Sequence, residues 1–269
     1  RQRFAKVVVK PEYAARSQGV SFCVDDAELV RAFEETIGTI NLFGIVNSEL
    51  VVQEYLPGPE YMVNTMSVRA RHFITDMWAG VDTDEEAIST DLYAELVHPD
   101  DDRYAAVADY VLAVLNCTRV DTGPAHVEVR CTPEGPALIE LGARLQGALS
   151  PRSMRLATGL DPIELTVDAV VRPAVAVRAL EHREAPRHAR LVYFHSDRGG
   201  TVTGNPDLSG MYSLESVREV LLTVRDGDYL PPTAEAVGRP GYAYLVHPDA
   251  DRLQRDYEQF RICERQLYG

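Results

Sequence analysis

Apolar residues in much of the chain recur with the two-residue period of β-strands. Gly and Pro separate these runs, as they do at the turns between short strands. The pattern predicts strands at residues 5–9, 19–24, 50–55 and 191–195, and an antiparallel pair within 61–77. A charged linker is predicted at 178–190.

Four segments show instead the spacing of amphipathic helices. The first begins at Asp25 and Asp26, which are good N-cap residues, and the second spans 100–115. The third opens at Asp161-Pro162 and ends before Pro173, and the fourth closes the chain. Their predicted buried residues are Leu29, Val30, Phe33 and Ile37 in the first helix, Tyr104, Val107, Val111, Leu112 and Leu115 in the second, and Leu253, Tyr257, Phe260, Ile262 and Leu267 in the last.

A β-hairpin is predicted around the turn residues 133–135. A three-residue loop places Thr132 opposite Pro136, and counting back along both strands places Glu128 opposite Glu140. Like charges directly across a ladder destabilise it, so the pair favours a bound cation. The opposite face is predicted to be core and consists of Val127, Val129, Cys131, Ala137, Ile139 and Leu141.

Two carboxylates on one hairpin face suit Mg²⁺, which takes one or two carboxylates and completes its octahedron with water and nucleotide phosphate. A solvated acidic hairpin without metal is an equally good interpretation of the pair alone. The formal net charge is −14, so the protein as a whole does not attract phosphate groups. Any phosphate that binds must be held by a few basic residues close to it. That charge argues against a nucleic-acid binder or a protein of anionic membrane surfaces.

The basic residues are almost all arginine, since only Lys6 and Lys10 among the 27 are lysines. Both flank an apolar strand and point to the same side of it. A compact ammonium suits a phosphate ligand where a planar fork is not needed. We assign this role to Lys10 and treat Lys6 as incidental. The four cysteines lack metal-ligand spacing, and no apolar run has membrane-spanning length, so a cytoplasmic protein with reduced thiols is expected.

Three stretches together resemble the ATP-grasp superfamily. They are Val7-Val8-Val9-Lys10-Pro11, the segment from Val52 to Tyr61, and His126-Val127-Glu128 followed by the segment from Leu138 to Arg144. The similarity is greatest to the L-amino acid ligases of the bacilysin-synthetase type, which are carboxylate–amine ligases. It extends over nearly the whole chain and rests on the order and spacing of these motifs.

The resemblance implies an α+β ATP-grasp fold in which two α+β subdomains grip ATP. It divides the chain into a small lid subdomain at 1–57, a large subdomain with the Mg-ATP site at 58–177, and a C-terminal subdomain at 178–269. The chain begins almost inside a strand. An N-terminal domain that precedes the ATP-grasp portion in this family is therefore expected upstream.

The resemblance also implies how ATP is bound. Lys10 holds the α and β phosphates, and Glu60 accepts the ribose hydroxyls. Glu128 and Glu140 bind Mg²⁺, with two ions expected and Mn²⁺ as a substitute. The loop that closes over the phosphates contains Arg16, Ser17, Gln18 and Gly19, and the adenine hinge consists of Glu54, Tyr55 and Leu56.

The substrate and catalytic residues implied by the resemblance surround the same carboxylates. Arg144 steadies the transferred phosphoryl group and the acyl intermediate. His126 lies on the same strand face as Glu128 and contacts substrate, although a structural histidine is the alternative. Gly142 stands where many ATP-grasp enzymes carry a metal-binding Asn, so one ion depends more on phosphate and water. The other implied substrate contacts are Arg71, His72 and the backbone of Gly147.

The expected activity is ATP-dependent ligation of two amino acids through an acyl phosphate, with release of ADP and phosphate. The expected partners are these small molecules. The resemblance also implies a second copy of the chain in a homodimer. Binding to nucleic acid or to a membrane is not expected. Two alternatives stay open. One is ATP-grasp chemistry on another acceptor, such as γ-glutamyl ligation or carboxylation. The other is a catalytically silent nucleotide-binding module, which Gly142 and the glycine-poor loop favour.

Overall fold

The computed structural model describes residues 5–15, 17–81, 92–196, 199–233 and 239–267. Its strands are β1 (Val7–Pro11), β2 (Ser21–Cys23), β3 (Leu50–Glu54), β4 (Glu60–Val68), β5 (Arg71–Val81), β6 (Tyr93–Leu96), β7 (Gly123–Thr132), β8 (Gly135–Gly142), β9 (His188–Tyr193), β10 (Gly200–Thr201), β11 (Val217–Leu222), β12 (Tyr229–Leu230) and β13 (Gly241–His247). Its helices are α1 (Asp26–Thr36), α2 (Tyr104–Thr118), α3 (Pro151–Thr158), α4 (Pro162–Val171), α5 (Pro173–Glu181), α6 (Ser209–Tyr212) and α7 (Ala250–Leu267).

The first part of the chain forms a small antiparallel sheet in the order β2-β1-β3, packed against α1. Its core consists of Val7, Val9, Cys23 and Ala32, with Leu29 and Leu50 partly buried. The predicted stripe of α1 is correct at Leu29, which is partly buried, and wrong at Val30 and Phe33, which are 54% and 49% exposed. The helix instead turns Leu29, Ala32 and Thr36 inward, a rotation of one residue, or about 100°.

An eight-stranded antiparallel sheet forms the body of the protein, in the order β11-β13-β9-β6-β5-β4-β7-β8. Strands β9, β11 and β13 follow residue 178, so the segment predicted as a C-terminal subdomain continues the same sheet as residues 58–177. The three-part division of the chain stays a prediction, and the sheet crosses its second boundary without a break.

Helices cover the two faces of this sheet unequally. On one face, α2 buries Val107, Val111 and Leu115 against β4, β5 and β7, as predicted, and α7 packs against β9 and β13. On the other face, α3 packs near Trp78 and α4 packs beside β4. The part of this second face that belongs to β7 and β8 carries charged side chains, which places the candidate site there.

Three of the described helices were not predicted, namely α3, α5 and α6. α4 ends before Pro173 as predicted, but Pro173 is also the first residue of α5, which extends into the segment predicted as a linker. Proline suits a first helical turn because its missing N–H is not needed there. α4 begins as predicted, with the Asp161 carboxylate accepting from the backbone N–H groups of Ile163 and Glu164. Within the described ranges, no helix is both long and apolar enough to cross a membrane.

Candidate functional site

Glu128 and Glu140 lie directly opposite each other on β7 and β8, as the sequence predicted. The predicted loop length is wrong, since Thr132 pairs with Gly135 across a two-residue turn. A bulge then leaves Ile139 without a partner of its own, because Val129 pairs with Leu138 and Glu128 with Glu140. The extra residue in β8 offsets the shorter loop and brings the two carboxylates back into register.

A row of polar residues crosses three strands on the same face as Glu128. Asn64 on β4 pairs with His126 on β7 and with Asp76 on β5. The Asn64 amide nitrogen lies 2.5 Å from Asp76 Oδ1 and 2.6 Å from Gln146 Oε1. Asn64 therefore ties the central strands to the loop that follows β8.

This row fixes the orientation of His126. The Asn64 amide group already serves as a donor to two oxygens, so its Oδ1 accepts from His126 Nδ1 at 2.8 Å. The other ring nitrogen, Nε2, then lies 3.4 Å from Glu128 Oε1. His126 is mostly buried and thus reaches the site through one defined nitrogen, which fits a role in the site as well as a structural one.

Three charged or hydrogen-bonding side chains near Glu128 change the pKa of its carboxyl group. Burial disfavours its ionised form, but the hydrogen bond and charge of His126 and the charges of Arg144 and Lys10 outweigh that effect. The pKa of Glu128 therefore lies below its ordinary value. Lys10 belongs to the small sheet and Arg144 to the loop after β8, so three separate parts of the chain act on one carboxylate.

Arg144 lies over Gly142. Its backbone N–H donates to the Gly142 carbonyl at 2.8 Å, and its Nη1 donates to the Leu145 carbonyl at 3.0 Å. A Cβ atom at position 142 would come within 3.3 Å of Arg144 Nε. A side chain at position 142 would therefore require the exposed Arg144 side chain to shift by a few tenths of an ångström.

The two lysines have different surroundings, as expected. Lys6 Nζ lies 4.3 Å from the centre of the Tyr55 ring and 5.1 Å from that of Phe22, a cation–π arrangement that supports a structural role. Lys10 lies on β1 opposite Val51 and acts electrostatically on Glu128. Its assignment to the phosphates stays a prediction.

The predicted adenine hinge connects the small sheet to β4. Glu54 ends β3, the Tyr55 N–H donates to the Lys6 carbonyl at 3.2 Å, and the Leu56 carbonyl lies 3.5 Å from Arg130 Nη1. Gly58 passes so close to β7 that a Cβ atom would lie 2.1 Å from the Cys131 carbonyl oxygen. Only glycine fits there, and its φ of +116° is also one that other residues rarely adopt.

Glu60, the predicted ribose ligand, forms an ion pair with Arg130, with 3.1 Å between Oε2 and Nη2. Arg130 was not predicted from the sequence. Its alternation with His126 and Glu128 along β7 was the available signal, because period-two positions share a face. Glu60 and Arg130 thus extend the charged row toward the hinge.

The remaining predicted residues lie in three places. Ser17, Gln18 and Gly19 lie in the loop between β1 and β2, where Gln18 Oε1 accepts from the Leu42 N–H at 2.9 Å, and Arg16 lies outside the described residues. Gly147 follows β8 in the Arg144 loop. Arg71 and His72 lie at the far end of β4 and β5, where Arg71 pairs with Glu181 at 2.6 Å and His72 Nδ1 lies 2.8 Å from Ser67 Oγ.

The structure does not bring Arg71 and His72 to the carboxylates. Ser67, the partner of His72, pairs with Gly123, five residues along β7 from Glu128, which corresponds to about 17 Å. Their assignment as substrate contacts stays a prediction that the observed distance does not support.

Comparisons with known proteins identify the family of the chain. The ATP-grasp domain family matches residues 4–152. Dapdiamide A synthase of Enterobacter agglomerans is 26% identical over 265 residues, which cover 97% of this chain and 62% of that protein. The uncharacterized protein y4rH of Sinorhizobium fredii is 25% identical over 245 residues, which cover 90% of this chain and 48% of that protein.

Solved structures show the same fold. The L-amino acid ligase from Bacillus licheniformis superposes with a TM-score of 0.77 at 19% identity, covering 95% of this chain and 61% of that chain. A biotin carboxylase from Campylobacter jejuni superposes with a TM-score of 0.65 at 11% identity, covering 99% of this chain and 63% of that chain. This chain therefore spans less than two thirds of the length of these relatives.

The family match covers more than half of the chain and includes β1, the hinge and both strands of the glutamate hairpin. The superposed structures extend the agreement to nearly all the remaining elements. The expected α+β ATP-grasp fold and the resemblance on which it rested are thereby confirmed. This protein belongs to the ATP-grasp family.

Proposed function

We propose that this protein is an ADP-forming ligase that activates a carboxylate with Mg-ATP and joins it to the amine of an amino acid. The observation that carries the proposal is the face-to-face pair Glu128 and Glu140, together with the positive charges of Lys10 and Arg144, which act on Glu128 from two other parts of the chain. Similarity to dapdiamide A synthase and to an L-amino acid ligase supports the amide-forming chemistry.

The residues fit a magnesium nucleotide. Within the described part of the chain, no three His, Cys, Asp or Glu side chains form a cluster that would hold a metal ion by themselves. A pair of carboxylates needs further oxygen ligands, and phosphate with water supplies them. Glu128 and Glu140 would hold the ion, which neutralises charge on the phosphates and on the carboxylates at once. The proposal includes two bound ions, with Mn²⁺ as a substitute for Mg²⁺.

The chain's own residues then have defined tasks. Lys10 is a compact charge for the phosphates, and the hinge at 54–56 offers backbone groups to the adenine. Arg144 lies exposed beside Glu128 and is free to contact the transferred phosphoryl group. His126 presents Nε2 toward the same place. Little covalent chemistry is asked of the protein, because positioning and charge neutralisation supply most of the catalysis in phosphoryl transfer.

The reaction balances in two steps. A substrate carboxylate oxygen attacks the γ-phosphorus, the bond from that phosphorus to the bridging oxygen breaks, and ADP leaves from an acyl phosphate. The nitrogen of the second substrate attacks the acyl carbon, phosphate leaves, and the amine gives up one proton. A ligase of this type excludes water so that the acyl phosphate meets the amine first.

Two other functions differ from this one in a measurable way. A γ-glutamyl ligase or a carboxylase would use the same ATP site with another acceptor. A silent nucleotide-binding module would bind Mg-ATP without turnover, but the joint presence of Lys10, Glu128, Glu140 and Arg144 favours catalysis. The homodimer and the cytoplasmic location are also part of the proposal.

The test is phosphate release with Mg²⁺ and ATP across single and paired amino acids, with mass detection of products. Release that requires a particular pair, and a product lighter than the pair by one water, is the expected result. Tight Mg-ATP binding without release for any pair would favour the silent module. Release with a single amino acid, and a product of another mass, would favour a different acceptor.

A further inference from the structure

A short hairpin of residues 38–47 connects α1 to β3 in the small sheet. Ile40 and Val46 pair across it as an antiparallel bridge, and the Gly38 N–H donates to the Asn47 carbonyl at 2.8 Å. The segment contains no charged residue, although 25% of all residues in the chain are charged. The proposed chemistry uses none of its side chains, so its contacts with the rest of the small sheet indicate what it does.

Asn41 organises the tip of the 38–47 hairpin. Its side-chain oxygen accepts hydrogen bonds from the backbone N–H groups of Phe43 at 2.9 Å and Ile45 at 3.0 Å. Its own backbone N–H donates to the Ile45 carbonyl at 2.9 Å. Asn side chains commonly close turns in this way, by binding the backbone a few residues ahead. These bonds use only the oxygen of the side-chain amide, so its NH₂ group is left for another partner.

That partner is the loop between β1 and β2, which comprises residues 12–20. Asn41 Nδ2 donates to the Tyr13 carbonyl at 2.5 Å, and the neighbouring Leu42 N–H donates to Gln18 Oε1 at 2.9 Å. The two bonds therefore hold the loop near both of its ends. Asn41 is only 6% exposed, and a hydrogen bond removed from water is stronger than one in contact with it.

The β1–β2 loop needs such support because its own sequence is poorly suited to a tight turn. It contains one glycine, and its Ser17 has a φ of +57°, a left-handed conformation that is unfavourable for residues other than glycine. Two backbone hydrogen bonds within the loop are both 3.2 Å long. A strained backbone persists where the surrounding structure holds it. Here the hairpin holds Gln18, which directly follows Ser17.

The position of this loop explains why its conformation matters. It begins two residues after Lys10, whose charge acts on Glu128. The bond from Asn41 to Tyr13 thus fixes the chain three residues beyond the lysine that we assign to the phosphates. A loop that already has its bound conformation loses less conformational entropy when a ligand binds, so the ligand binds more tightly.

We propose that Asn41 is a positioning residue for the nucleotide, which holds the β1–β2 loop in the conformation that receives the phosphates of Mg-ATP. The inference rests on the proposed function, in which this loop covers the phosphates, and adds the residue that shapes the loop. The oxygen of the Asn41 amide holds the hairpin, and its NH₂ group holds the loop. In this role Asn41 does not touch the nucleotide and takes no part in bond formation.

The two halves of the Asn41 amide can be tested separately. Asn41→Asp keeps the acceptor for the hairpin N–H groups but replaces the donor to Tyr13 by an acceptor, so the hairpin keeps its turn and the loop is released. Asn47→Asp is the matched control and adds the same charge. Asn47 lies in the same hairpin, is 7% exposed and donates to Thr39 Oγ1 instead of to the loop. Asn41→Ala and Asn47→Ala repeat the comparison without an added charge.

Calorimetric titration with Mg²⁺ and a non-hydrolysable ATP analogue measures the affinity for the nucleotide. Adenosine, which lacks phosphates, is the second ligand. We expect both Asn41 variants to bind the analogue about fivefold or more weakly than wild type, and to bind adenosine with less than about a twofold change. The Asn47 variants should bind both ligands like wild type. Repeating the titrations in about 0.5 M salt screens repulsion between the Asn41→Asp carboxylate and the phosphates.

Three results would overturn the inference. The first is unchanged affinity for the analogue in Asn41→Asp. The second is an equal loss for adenosine or in the Asn47 variants, which would mean general damage to the small sheet. The third is a loss in Asn41→Asp that disappears in high salt, which would mean charge repulsion. Asn41→Asp and its salt dependence decide the question even if Asn41→Ala fails to fold.

Phosphate release separates this inference from the proposed function. A wild-type protein that binds the analogue but releases no phosphate with any pair of amino acids is not a ligase of amino acids. The inference still stands in that case if Asn41→Asp weakens binding of the analogue. A protein that releases phosphate, but whose Asn41→Asp variant binds the analogue as tightly as wild type, is a ligase whose loop is held by other contacts.

Discussion

The small sheet and the large sheet differ in how firmly each can hold a functional group. The core of the large sheet includes residues that are completely buried, such as Val63, Val127 and Leu115. The core of the small sheet consists of four buried residues, and its surface leaves Ile40 and Phe43 67% and 62% exposed. The proposed metal ligands belong to the large sheet, Arg144 to the loop that follows β8, and Lys10 to the small sheet. The large sheet therefore holds the glutamates in a well-packed core, whereas Lys10 comes from a sheet with a smaller core.

The largest expected effect concerns the carboxylates on the large sheet. Glu140→Gln removes the charge but not the volume, so we expect phosphate release to fall by more than about 100-fold while the melting temperature stays close to that of the wild type. Glu134→Gln is the matched control, because Glu134 lies exposed in the turn of the same hairpin. Near-normal turnover in Glu140→Gln would contradict the assignment of Glu140 as a metal ligand.

The next effect concerns the charge on the small sheet. Lys10→Arg keeps the charge but replaces a compact ammonium by a larger planar fork, so we expect turnover to fall by about 10-fold or more. Lys6→Arg is the control, since a guanidinium also stacks on the rings of Tyr55 and Phe22. Steady-state kinetics on both variants provides the comparison. Equal activity in the two would mean that Lys10 is not a close phosphate ligand.

Stability should reveal the same contrast. Val127 and Val9 are both buried, at 0% and 1% exposure, one in each sheet. We expect Val127→Ala to cost about 2 kcal/mol in the free energy of unfolding and Val9→Ala about 1 kcal/mol, because a cavity collapses more easily in a thin core. Chemical denaturation measures both. If Val9→Ala cost as much free energy of unfolding as Val127→Ala, or more, the small sheet would not have the weaker core.

The smallest effect is a shift in titration. The pKa of Glu128 lies below its ordinary value, so its charge stabilises the folded protein above about pH 4 to 5, and this contribution is lost as the pH falls through the lower folded pKa. His126→Asn removes the lowering influence of the imidazole, so we expect the pKa of Glu128 to rise. Carbon-13 NMR of the carboxyl groups follows it. A pKa that stays the same would show that His126 does not act on Glu128.

The sequence predicted what depends on neighbouring residues. The two-residue period and the turn chemistry of the hairpin correctly opposed Glu128 and Glu140, although the loop is shorter than expected and a bulge at Ile139 offsets it. The N-cap at Asp161 and the inward face of α2 also followed from local spacing.

The rest depends on pairings between distant parts of the chain. Asn64, Asp76, His126 and Gln146 meet because β4, β5 and β7 are neighbours in one register, and no local pattern in the sequence reveals that. The inward face of α1 was predicted one residue off, because the most apolar stripe of the helix is not the one that contacts the small sheet. Which residues meet is decided by tertiary packing, so the contacts of Asn64 with Asp76 and Gln146 could not be found before the structure.

The central claim is that Glu128 and Glu140 together hold the divalent ion of the nucleotide. Anomalous scattering from crystals grown with Mn²⁺ and a non-hydrolysable ATP analogue tests it most directly. We expect an ion peak within about 2.0 to 2.3 Å of an oxygen of each carboxylate, with phosphate oxygens completing the coordination. An ion bound to the phosphates alone, or a peak away from both glutamates, would contradict it.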